Sequence, residues 1–148
     1  MSHLLLKDTF DNFSFIEGEI TTFNKFTISG FLQEDFFDEK PEETYSRWNK
    51  TRDFCFQIIR GKRTPLGFKI VLALPEDQIP YFLTAHGLTG YRPEEIRGLY
   101  LNFHYDGHHL QCITGTSLNT FTMDKSIERE WDQEVKAILK SRSIEGDY

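Results

Sequence analysis

The chain has 148 residues, of which 27% are charged and 22 are aromatic (14 Phe, 6 Tyr, 2 Trp), and its formal net charge is -6; that length suits one domain spanning 1–148. Whole-chain disorder is excluded by the aromatic content, and a protein that coats nucleic acid over its entire surface is excluded by the negative charge. No apolar run approaches the ~18 residues of a membrane helix, and Met1–Asp8 is too short and too soon acidic for a signal peptide, so the expected location is cytoplasmic with no membrane partner.

In chain order, Leu4 to Phe10 reads as the end of a helix, followed by Asp8, Asp11 and Asn12 as turn-formers. Phe13 to Thr22 reads as a strand with Ile16, Gly18 and Ile20 on one face and Phe15, Glu17 and Glu19 on the other. A turn at Asn24-Lys25 leads into a second strand, Phe26 to Leu32. Residues 34–46 show neither strand alternation nor a helical stripe and read as an acidic, exposed connection. Phe54 to Arg60 alternates Phe54, Phe56 and Ile58 with Cys55, Gln57 and Ile59, which points to a third strand. Phe68, Ile70, Leu72 and Leu74 alternate along a fourth. A short helix is expected over Ile79–His86, with Pro80 in its first turn and Gly87 just past its end. Pro93 to Ile96 adds one helical turn. Asp106-Gly107 is a two-residue hairpin signal, which sets Tyr105 opposite His108, Phe103 opposite Leu110 and Leu101 opposite Cys112. Extended chain continues through Thr114 to Thr122. Asp124 is the expected N-cap of a last helix over 125–142, buried through Ile127, Trp131, Val135, Ile138 and Leu139. The tail 143–148 is expected to fray.

This order gives the α+β class: an antiparallel sheet covered by two or three helices. Helix-strand-strand-strand at Leu4–Arg60, then strand-helix-strand-strand with a short strand near Phe121, is similar to a duplicated β-α-β-β-β unit of the kind found in DNA sliding clamps. The similarity lies in the order of elements, and fold analogy does not license function. The strings Ile20-Thr21-Thr22-Phe23-Asn24, Gln33-Glu34-Asp35-Phe36-Phe37-Asp38, Ile59-Arg60-Gly61-Lys62-Arg63-Thr64-Pro65, Cys112-Ile113-Thr114-Gly115-Thr116-Ser117-Leu118 and Thr122-Met123-Asp124-Lys125-Ser126 leading to Trp131-Asp132 resemble an uncharacterised domain family of clostridial-type Gram-positive bacteria. The resemblance covers nearly the whole chain. Its members carry an extra strand and helical start before the first leucines, and the family has no assigned activity, so the resemblance implies no catalytic residue. A sheet edge left unpaired at the missing strand would invite dimerisation.

Charge is placed unevenly. Residues 33–46 carry a net of -5 and residues 47–69 a net of +6. In the second stretch, Arg47, Lys50, Arg52, Arg60, Lys62 and Arg63 form a candidate anion or nucleic-acid contact, with Tyr45 and Trp48 near enough in sequence to stack on bases; the acidic neighbour could equally cover these charges within the fold. Gly61-Lys62-Arg63-Thr64 lacks the upstream glycine of a phosphate-binding loop. His104 and His109 face one another across the expected hairpin and are the weak metal candidates, short of the three or four ligands a zinc site wants, while His108 points to the opposite face. Cys55 and Cys112 are expected mid-strand, as buried thiols of a reducing compartment. Thr114-Gly115-Thr116-Ser117 reads as a strand bend, and the pairs Glu94/Glu95 and Glu17/Glu19 as surface carboxylates. No catalytic residue and no cofactor is expected. The leading reading is a non-enzymatic binding or scaffolding domain, clamp-like, acting on a protein partner, on itself, or on nucleic acid through 47–69. The alternative is a small metal-dependent or hydrolytic enzyme at His104 and His109; a third is a regulatory protein whose acidic 34–46 segment recruits a basic partner.

Overall fold

Five strands, β1 (Ser14–Thr21), β2 (Lys25–Ser29), β3 (Gly67–Ala73), β4 (Ile96–Tyr105) and β5 (Leu110–Leu118), build one sheet in the order β2-β1-β3-β4-β5 in a computed structural model that describes residues 1–61, 63–144 and 146. Neighbours run antiparallel: β1 pairs with β2 and β3, and β3 opposes β4, since Leu74 donates to the Leu99 carbonyl at 2.9 Å while Gly67 lies against the Tyr105 carbonyl. With the helices α1 (Ser2–Leu5), α2 (Trp48–Ile59), α3 (Ile79–Ala85) and α4 (Ser126–Ser141), the class is α+β. No helix among the described residues is long and apolar enough to cross a membrane.

The expected strand at 54–60 is instead the second half of α2. Its buried residues are Trp48, Cys55 and Ile59, seven and four apart, which is helical spacing. Phe54 is 67% exposed. The β-branched and aromatic content of Phe54–Ile59 favours a strand locally; burial of Trp48 on the same helical face as Cys55 and Ile59 overrides it. Cys55 is therefore a helix residue. The stretch near Phe121 is irregular. Without these two strands the element order behind the clamp-like duplication is not present.

The chain divides into two compact units, Met1–Ala73 with Asn102–Ile113, and Leu74–Leu101 with Thr114–Tyr148. In the first, β1 carries a bulge: Phe15 pairs with Leu72 but Glu17 with Val71, so Ile16 is the extra residue. The bulge moves Phe15 onto the buried face with Gly18 and Ile20, and it is Phe15, not Ile16, that is fully buried. Its ring packs 5.5 Å from Trp48. The Trp48 indole donates to the Leu4 carbonyl at 2.8 Å, tying α2 to α1, and Phe10 meets Phe103 edge-on at 5.2 Å.

In the second unit, α3 buries Ile79, Phe82 and Leu83 as its spacing dictates, and Gly87 ends it at φ +67°. Ile127, Trp131 and Val135 are the buried stripe of α4. Trp131 donates to the Tyr100 carbonyl at 3.0 Å and meets Phe82 edge-on. Lys125 occupies the N-cap position, yet the cap is made by Asp124, whose carboxylate accepts the Ser126 N–H at 3.0 Å and hydroxyl at 2.9 Å.

Candidate functional site

β2 ends at Ser29 because Gly30 passes directly over the β1 bulge. Gly30 donates to the Ile16 carbonyl at 2.8 Å, Ser46 donates to Gly30, and Phe15 donates to Ser46. Phe31 then bridges Tyr45, and Leu32 donates to Thr44 at 3.0 Å. The acidic segment thus stands on a hydrogen-bonded neck, closed further by Arg47, which binds Glu43 at 2.9 Å and the Asn12 carbonyl at 2.7 Å. Beyond the neck, residues 33–40 are all exposed, with one short helical turn at Glu34–Phe36. Lys40 reaches Glu34 at 3.6 Å across the tip. Phe36 and Phe37 stack edge to face at 5.5 Å, and Phe36 is 85% exposed. Large aromatic surface held in water on an ordered, acidic tip is the feature of the loop that local folding does not require.

The basic candidates separate into two groups. Arg47 is tied to Glu43, and Arg52 pairs with Asp11 at 2.8 Å and donates to the Lys7 carbonyl. These two guanidiniums close the fold around the start of β1. Trp48 is fully buried and Tyr45 packs on Phe31, so the Trp48 ring is not available for stacking on bases. Lys50, on α2, and Arg60 and Arg63, after it, are exposed. Lys62 lies outside the described residues.

The hairpin turns about Gly107-His108, two residues away from the expected register: Asp106 donates to the His109 carbonyl at 3.3 Å. The Asp106 carboxylate accepts the His109 and His108 N–H groups at 2.7 and 2.8 Å, and these bonds hold its pKa below the ordinary value. This Asx arrangement outcompetes a type I′ turn at Asp106-Gly107. In this register Gln111 stands across from His104 on β4, and His109 belongs to the turn. The buried face, Leu99, Leu101, Phe103 and Tyr105, is as expected, because a two-residue shift preserves side-chain parity. No group of three or more His, Cys, Asp or Glu residues among those described is placed to hold a metal ion. Burial pushes the Cys55 thiol up to about 11 and that of half-buried Cys112 to about 12, which keeps both protonated at neutral pH. Thr114 bonds to Asp132. Glu95 accepts the Arg92 N–H in a helical-turn cap. Glu17 and Glu19 line a groove of about 460 Å³ on the sheet with Lys69, Thr27 and Ser29, where Glu19 pairs with Lys25 at 3.2 Å.

One cluster has no signal along the sequence. His86, at the end of α3, places Nδ1 2.9 Å from Glu130 and Nε2 2.8 Å from Glu134, both on α4. Only an imidazolium donates from both nitrogens to two carboxylates. Burial opposes the charge, but the bonds and charges of Glu130 and Glu134 outweigh it and raise the pKa above the ordinary value. Because the folded value is raised, the stabilisation is complete below the unfolded value of about 6.5 and is lost as pH rises through the folded one. We expect His86→Gln to lower stability by about 1–2 kcal/mol at pH 5.5, since the two carboxylates are partly solvated. The difference from wild type should shrink towards pH 9 in denaturant titrations; an equal difference at both pH values would refute the ionic account.

No curated protein and no solved structure matches the chain. A family model does, over residues 3–147, nearly the full length on which the resemblance in the sequence also rests. With those residues matched, the chain belongs to the family of unknown function DUF5721.

Proposed function

We propose that this protein is a non-enzymatic docking domain, cytoplasmic, whose acidic loop at 33–43 inserts Phe36, flanked by Phe37, into an apolar pocket with a basic rim on a partner protein. The observation that carries this reading is the exposure of Phe36 on a loop whose neck is fixed by backbone bonds and by Arg47. A pre-ordered loop gives up little conformational entropy on binding, and aromatic anchors supply most of the affinity at such interfaces. The net charge of -5 over 33–46 selects a basic rim and steers encounter. Nucleic-acid contact through the 47–69 segment is the second reading; the engagement of Arg47 and Arg52 within the fold weighs against it.

The test is immobilised full-length chain set beside Phe36→Ala/Phe37→Ala and beside Phe54→Ala as a second exposed-aromatic control. Folding should be little affected in either, because Phe36 and Phe54 lie largely in solvent and Phe37, 41% exposed, packs on Phe36. A partner should bind wild type and Phe54→Ala, weaken roughly 30-fold or more on the double variant, as expected for a loss of about 2 kcal/mol, and weaken with salt. Partners that bind the double variant as well as wild type would exclude the loop.

A further inference from the structure

Sheet topology sorts the first unit's loops to two ends. At the start of β1 stand the neck and the acidic tip, through the Gly30–Ile16 and Phe15–Ser46 bonds. At the other end three connections meet. The β1–β2 turn holds Phe23, 87% exposed, which stacks on Phe26 at 5.9 Å. The 60–66 connection carries Arg60, Lys62 and Arg63 and no acid in its sequence, with Arg60, Arg63 and Leu66 exposed. The β4–β5 turn holds His108 and His109, also exposed, while its Asp106 is engaged by its own backbone bonds. The three are in direct contact: Leu66 donates to the Thr21 carbonyl at 2.9 Å, and Gly107 lies against the Leu66 carbonyl. One end of this sheet is therefore acidic and aromatic, and the other basic and apolar.

Resting on the docking reading above, we infer that the partner is a second copy of this chain, the acidic loop of one protomer seated on the basic end of the next. Charge complementarity carries this: exposed Arg60 and Arg63 lie on the connection whose last residue, exposed Leu66, is bonded to Thr21 at the β1–β2 end that also carries exposed Phe23. Within one protomer the neck is held at Phe15 and Ile16, five to six residues along β1 from Thr21, roughly 17–20 Å at 3.3 Å per residue, so the loop leaves the sheet away from its own basic end. Two different surfaces meeting leave one of each free, and these either close reciprocally in a two-fold dimer or carry assembly on to larger rings or chains.

Light scattering and sedimentation of the full-length chain read this directly. In low salt, mass should grow with concentration above that of the monomer, and 0.5 M salt should return monomer, since ~4 Å screening removes exposed attractions. Arg60→Glu/Arg63→Glu and Phe36→Ala/Phe37→Ala should each be monomeric alone. Mixed, each retains the surface the other lacks, and they should form a one-to-one complex; circular dichroism confirms that both are folded. Monomeric wild type at all concentrations overturns the inference, and so does a dimer that survives both double substitutions, which would point to a sheet edge. Monomeric wild type that still holds a foreign protein through Phe36 overturns the second copy as partner while leaving the docking loop standing. Monomer that instead binds a single-stranded oligonucleotide through Arg60 and Arg63 assigns the basic end to phosphate.

Discussion

Gly30→Ala is expected to destabilise the protein by about 3 kcal/mol or more, at the upper end of overpacking effects. A Cβ at Gly30 would lie 1.7 Å from the Phe15 carbonyl oxygen and 2.6 Å from its carbon. The obstacle is backbone, so no rotamer change relieves it. The backbone that must move is the β1 bulge, which Gly30, Ile16, Phe15 and Ser46 hold through three hydrogen bonds. Its displacement would turn the Phe15 ring away from Trp48 and loosen the neck of the acidic loop at once. Denaturant unfolding measures the loss, and amide exchange at Phe15, Gly30 and Ser46 should quicken with it. Gly90→Ala, where nothing lies within 4 Å, serves as the comparison and should be close to neutral. Equal effects at the two glycines would remove the close-approach argument.

Trp48→Ala should cost about 3–5 kcal/mol from lost burial and the cavity left behind, with about 1–3 kcal/mol more for the Leu4 carbonyl left without its indole donor. Against a typical domain stability of about 5–15 kcal/mol, such a variant is expected to be largely unfolded at moderate temperature. Trp48→Phe separates the two contributions: it keeps most of the ring in contact with Phe15 and removes only the donor. It should therefore fall well short of the alanine variant, and circular dichroism melts of the three proteins order them. A Phe variant as damaged as Ala would place the effect in the hydrogen bond; a Phe variant equal to wild type would mean that the bond contributes nothing net.

Elements whose burial pattern is complete within a few residues were legible along the chain. β3 alternates from Phe68 to Leu72 because one of its faces is buried and the other is not; α3 carries its own Pro and Gly boundaries; α4 repeats its stripe at helical spacing. α2 was not legible, because its decisive residue, Trp48, sits six positions ahead of the alternating Phe54–Ile59 run. The bulge at Ile16 likewise leaves no local mark: a single extra residue reverses which of Phe15 and Ile16 enters the core, and only the register with β3 shows it.

The same division holds for the surfaces. Composition and order of residues determined the class of the fold, the acidic exposed segment between β2 and α2, and the basic stretch after it. Which charges remain available was decided by tertiary structure, since an arginine is spent or free according to the carbonyls and carboxylates that chain reversal brings to it. Arg47 and Arg52 meet partners 35 and 45 residues away at Asn12 and Lys7, and His86 meets Glu130 and Glu134 across 44 and 48. Periodicity reports neighbours within one element; pairings at these separations depend on how strands and helices pack, and that packing places an acidic aromatic loop at one end of a sheet and arginines at the other.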